Sequence, residues 1–138
     1  MTAKEYLSQY RLLDTRIENK IDQIRSLREL AEKCTSTLSV NRGKIANSDS
    51  AMEKTIITVV DMEREVQKEM EDLVRLKKEI ADAIESVENI EYRTILEKRY
   101  LGFCPLKEIA DAMWYDVRHI YRMHDEALKY IRVPKSCQ

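Results

Sequence analysis

Between Met52 and Val87, the residues Met52, Ile56, Val59, Glu63, Val66, Met70, Leu73, Lys77, Ile80, Ile84 and Val87 recur at strictly alternating steps of four and three. Nine of these eleven positions are apolar, which is the signature of a five-heptad coiled-coil seam. A helix from about Ser50 to Val87 spans roughly 55 Å at a rise of about 1.5 Å per residue, and it cannot bury such a stripe alone. Whatever this chain folds into must supply a partner for it. Glu63 and Lys77 interrupt the seam with charge and are expected to fix register or partner choice.

A first helix is the obvious partner. Tyr6, Tyr10, Leu13, Ile17, Ile21, Ile24, Leu27 and Ala31 fall at spacings of three or four between Ala3 and Lys33. The small, polar run CTSTLSVNRGKIANSDS, residues 34–50, then reads as a loop, with Ser48 or Asp49 available to cap the next helix. Folding back through this loop gives an antiparallel hairpin, self-association gives a homodimer, and the two combine in a dimeric four-helix bundle. Only two Gly and two Pro among 138 residues, with 36% charged, agree with an all-α chain of long, solvated helices.

After Val87 the rhythm changes, which sets a boundary between a hairpin or stalk over 1–88 and a small three-helix module over 89–138. Ile90, Ile95, Leu96 and Leu101 form the apolar face of a first helix closed by Gly102, with Pro105 opening the next. Leu106, Ile109, Ala110 and Met113 line a second, short helix. Asp116 caps a third, whose buried face is Ile120, Met123, Ala127, Leu128 and Ile131. Ala110, Met113 and Ile120 stand where a helix-turn-helix needs a small residue, an apolar residue before the turn, and an anchor in the following helix.

In that arrangement Val117, Arg118, His119, Tyr121 and Arg122 occupy the reading face of the third helix. Lys107 and Lys129 supply backbone contacts to double-stranded DNA, with Arg132 and Lys135 beyond them. The turn carries Trp114 and Tyr115 where glycine is common, because one turn residue tends to positive φ. An indole folded over Tyr100 and Phe103 as a lid is the favoured reading, and a stacking or partner-binding Trp the functional one. His124 is expected in solvent or beside a phosphate.

The run from Leu96 through Arg99-Tyr100, Gly102 and LKEIADAM to the helix after Asp116 resembles the fourth region of bacterial sigma factors. Glu108-Ile109-Ala110 match that pattern directly, Asp116 stands for its capping Ser, and Ile120 for its Val; Trp114 departs from its Gly. Together with the coiled-coil segment, the chain is similar to phage and prophage proteins of Gram-positive bacteria, the ArpU and RinA-type late-gene regulators. The resemblance implies binding to a promoter-like element and RNA polymerase as a further partner.

Charge bounds the alternatives. The stretch from Met52 to Glu88 holds 6 basic and 11 acidic residues, whereas Val117 to Gln138 holds 5 basic and 2 acidic. That asymmetry suits a DNA-facing C-terminus, but the module from Glu88 onward carries 9 basic against 8 acidic residues, which leaves open a coiled-coil factor that contacts polymerase without DNA. A small terminase-like protein recognising a packaging site is the third reading, separated from the regulator by its ring stoichiometry. No enzyme is expected, since no nucleophile elbow, phosphate loop or Cys/His dyad is visible. His119 and His124 diverge by about 140° on a helix, so neither a metal nor a cofactor is expected. Cys34, Cys104 and Cys137 form no CxxC pair, and no apolar run spans a bilayer, so the expectation is a reduced, cytoplasmic protein with no membrane contact.

Overall fold

The computed structural model describes the backbone of residues 1–38 and 45–137, and the side chains of 1–33 and 51–136. The protein is all-α. The helices are α1 (Ala3–Leu38), α2 (Ile45–Glu85), α3 (Ile90–Leu96), α4 (Leu106–Met113) and α5 (Val117–Leu128). A π-helical turn, Glu97–Leu101, extends α3, and a short 3-10 turn, Lys135–Cys137, follows α5. No helix among the described residues is long and apolar enough to cross a membrane.

The two long helices reach further into the polar run at 34–50 than its composition suggests. Helix α1 continues to Leu38 and α2 begins at Ile45, so Ser48 and Asp49, expected as caps, lie inside a helix. Residues 39–44 of the expected loop lie outside the described residues, as do the side chains of Cys34 and Cys137.

Two compact units divide the chain, and they do not follow the boundary at 88/89. One comprises Thr15–Asp72, the other Met1–Asp14 with Leu73–Gln138. In the first, the long helices bury Ile17, Ile24, Val59 and Val66. Their pairing is antiparallel, because Lys20 meets Glu69 while Arg28, further along α1, meets Glu63, earlier in α2. The charged seam residue Glu63 thus has its counter-ion on α1. Seam residues Ile56 and Met70 remain about half exposed, and so do Ile57 and Val60 outside the seam. The first helix covers one edge of the stripe and not its full width.

In the second unit the start of α1 packs on the end of α2 and on the short helices. Tyr6, Leu7 and Tyr10 close a core with Ile80, Ile84, Val87, Leu96, Tyr100, Ala127 and Ile131. The other charged seam residue, Lys77, lies here with its ammonium 5.7 Å from the Tyr10 ring centre, a cation–π contact that keeps its charge at the rim. A second cluster, Ile95, Leu106, Ile109, Ala110, Ile120 and Met123, joins α3, α4 and α5. Ile109, Ala110 and Ile120 are wholly buried, as their spacing predicts. Ile90, assigned to the same apolar face, is 72% exposed instead: it is the first residue of α3, before that helix reaches its neighbours.

Polar groups fix the joints between these helices. The Asn89 side chain accepts from the backbone N–H groups of Glu91 and Tyr92, capping α3. Arg93 donates twice, through Nε and Nη2, to the Val87 carbonyl just beyond α2, at 3.1 and 2.8 Å. A forked, charged donor on that carbonyl satisfies a backbone acceptor in the link between α2 and α3.

The π turn ends as predicted at Gly102, whose N–H donates to the Glu97 carbonyl at 3.0 Å. Gly102 is nevertheless not left-handed (φ −92°). Its lack of a side chain matters for space, since a Cβ there would sit 3.0 Å from the Lys98 carbonyl oxygen. The left-handed residue is the next one, Phe103, at φ 57°.

Candidate nucleic-acid interface

Helix α4 stops at Trp114, which adopts the left-handed conformation (φ 61°, ψ 35°). That geometry lets the N–H groups of both Trp114 and Tyr115 turn back onto the Ala110 carbonyl, the latter at 3.0 Å. The positive φ expected in this turn is therefore present, but it is carried by the residue least suited to it, a bulky indole. The lid does not form: Trp114 is 94% exposed, while Phe103 stacks on Tyr10 and Tyr100 on His124. A left-handed residue at the helix end points its side chain out of the α4–α5 angle, which the Cα pattern of a sequence cannot disclose.

Tyr115 follows and is tied down on two sides. Its hydroxyl donates to Glu91 Oε1 at 2.6 Å, which holds the phenol above its usual pKa, and its ring meets His119 edge-on at 5.0 Å. Asp116 occupies the N-cap of α5 in an extended conformation, although its side chain makes no capping hydrogen bond; its carbonyl accepts from Ile120.

The residues predicted to read a ligand divide into three groups. Arg118, Tyr121 and Arg122 are exposed and, at spacings of three and four, share one strip of α5. His119 is also exposed, at the edge of that strip beside Tyr115. Val117 turns partly inward against the second core cluster and so serves packing as much as surface. Lys107 is exposed in the first turn of α4, on a separate element. Lys129 lies at the C-terminal cap of α5, about three turns from Arg118, and is ion-paired to Glu126 at 2.8 Å.

His124 is the clear correction. It is only 4% exposed, and its Nε2 lies 2.8 Å from the Tyr100 hydroxyl, with Nδ1 3.4 Å from Asp125 Oδ1. With Nδ1–H directed at Asp125, Nε2 accepts from the phenol. Burial depresses the imidazole pKa, against the smaller pull of Asp125, and burial likewise pushes Tyr100 up to about 12. The pair is a neutral polar plug between α5 and the π turn, and the His124 ring is withdrawn from the surface of α5 on which it was expected. Its spacing from His119 already removed it from a metal site. Among the described residues no group of three or more His, Cys, Asp or Glu is placed to hold a metal ion.

The arrangement provides a short helix whose exposed strip is cationic and aromatic, held against α4 and α3 by wholly buried Ile109, Ala110 and Ile120. Asp116 and Asp125 border the strip, so its field is local rather than that of a broad basic patch. Trp114 extends the exposed aromatic surface at its N-terminal end. A family model described as "Protein of unknown function (DUF1492)" matches residues 29–132. No curated protein and no solved structure matches the chain.

Proposed function

The chain belongs to this DUF1492 family, and on the geometry of its C-terminal helices we propose that it is a DNA-binding transcription regulator, phage or prophage encoded, that reads a promoter-like site with α5. One observation carries the reading: Arg118, Tyr121 and Arg122 project from a helix whose opposite face is anchored through Ile120 to α4. Arginine on the first turns of such a helix suits the O6 and N7 acceptors of guanine or a phosphate, and Tyr121 offers a hydroxyl and a ring face beside them. His119, beside Tyr115, supplies a further donor at the groove edge. Lys107 and Lys129 act as outlying backbone contacts, the latter only after giving up Glu126.

The paired long helices supply a homodimer interface in this reading. Two copies would present two α5 helices to two half-sites in the cytoplasm. RNA polymerase is the natural second partner, and Trp114 favours such a protein contact as a second reading of the same module. An indole with 94% of its surface in water is a ready anchor for a partner pocket.

The test is binding of a mixed-sequence duplex, followed by fluorescence anisotropy across a salt series, with Arg118→Ala and Arg122→Ala alongside. Each substitution is expected to weaken specific binding by about 1–3 kcal/mol, with the helical signal unchanged. Equal affinity in wild type and both variants removes α5 as the reading helix. Loss of duplex binding altogether, with polymerase capture that depends on Trp114, selects the protein-contact reading.

A further inference from the structure

A second basic feature lies away from the strip on α5. Lys4, Ser8 and Arg11 follow at steps of four and three on one face of α1, and Arg99 of the π turn joins them around a small cleft walled by Tyr100 and Phe103. We propose that this cleft is a phosphate-binding site.

Three cations share the cleft, and the residues that line it include no carboxylate. Among the described residues Lys4, Arg11 and Arg99 form no ion pair; other exposed cations such as Arg118 and Arg122 share that state, and what sets these three apart is that they line one cleft. Like charges gathered without a counter-ion repel one another, and an anion between them reverses the sign of that interaction. Asp125, whose charge reaches Tyr100 on the cleft wall, is directed at His124 Nδ1. The charges of Arg99 and Lys4 both reach His124, where they oppose its protonation together with burial.

The cations are also held in place. The Arg11 guanidinium lies 5.7 Å over the Phe103 ring, and Phe103 in turn stacks on Tyr10 at 5.5 Å. The left-handed backbone at Phe103 thus has a use, because it turns the ring under Arg11. Arg99 Nη1 donates to the Cys104 carbonyl at 3.3 Å, which leaves its remaining N–H groups to point elsewhere. Two guanidinium groups, an ammonium and the Ser8 hydroxyl make a donor set suited to a tetrahedral oxyanion, with arginine matching two of its oxygens at a time. A carboxylate would engage fewer of them. The phosphate can be free in solution or a diester of a nucleic-acid backbone.

Both sources can be told apart with the full-length chain and a Lys4→Gln/Arg11→Gln double variant. Both positions are exposed on α1; far-UV circular dichroism and the melting temperature in chloride confirm the fold, and Lys4→Gln alone replaces the double variant if that fails. The first arm compares melting in 10 mM inorganic phosphate with chloride at matched ionic strength. A free-phosphate site raises wild-type Tm by about 2–4 °C and leaves the variant unmoved. The second arm measures duplex affinity against salt. A backbone-phosphate site makes the log–log slope shallower by about one to two in the variant, near 0.9 for each lost contact. A response in either arm supports the site and names its source, and a variant indistinguishable from wild type in both overturns it. If the wild type binds no duplex, the reading of α5 fails separately, and the phosphate arm alone decides this one.

Discussion

The two compact units solve the same problem, covering an apolar stripe on α2, with different means. Over Thr15–Asp72 one helix faces another, Ile17, Ile24, Val59 and Val66 are buried, and Ile56, Ile57, Val60 and Met70 stay substantially in water. In the other unit the end of the same helix meets α1, α3, the π turn and α5 together, and Ile80, Ile84 and Val87 are almost completely enclosed. The seam repeat is equally regular in both. What differs is the number of elements available to close around it, so periodicity predicts which face is apolar without predicting how much of it is covered.

That contrast is open to direct attack. The largest effect should come from Ile120→Ala, which empties a site enclosed by α3, α4 and α5 and should cost about 2–5 kcal/mol. The same truncation of Ile17, buried between two helices only, should cost roughly half as much or less. Urea denaturation of both variants measures the difference, and equal losses would show that the two units are packed alike.

Replacing Trp114 by Gly should act in the opposite direction. A left-handed residue that buries almost nothing gives up strain and loses little packing, so stability should rise by about 1 kcal/mol. A fall in stability would mean that the indole is covered in solution. Should duplex or polymerase binding weaken in the same variant, the strain at Trp114 is maintained for that contact.

Acid should loosen the unit that holds His124. Its folded pKa lies below the ordinary value near 6.5, so the unfolded chain takes up the proton first. The stabilisation is therefore complete above about pH 6.5 and declines as pH falls from there toward the depressed folded value. Tm measured from pH 7.5 to 5 should fall, and His124→Phe should flatten that part of the profile. The smallest effect is expected for Arg28→Ala. Its pair with Glu63 is more than a third exposed on both sides, which limits the loss to about 0–1 kcal/mol and makes it vanish in high salt.

Much of the frame is legible in the sequence alone. Spacing located the long helices, and it placed Ile109, Ala110 and Ile120 at positions that are wholly buried. Three features were not legible, each for a physical reason. His124 belongs to a residue type equally at home in water or beside a phenol, and only the position of Tyr100 decides. Trp114 was expected to cover the core, but its direction follows from a backbone dihedral that apolarity does not encode. The cleft at Lys4, Arg11 and Arg99 joins residues about ninety positions apart, which no local pattern connects. On α5, Arg118, Tyr121 and Arg122 are exposed along one strip, whereas Val117 is shared with the core.

Arg93 gives the molecule something other than stability. Because its fork grips the Val87 carbonyl, Arg93 adds a two-point brace to the core contacts and the Asn89 cap that set the direction in which α3 leaves the end of α2. Lysine there would keep the charge and lose the two-point grip, leaving a looser elbow. The aim of whatever α5 carries would then wander within the slack that the core around Ile84 and Ala127 allows, while every helix stayed folded.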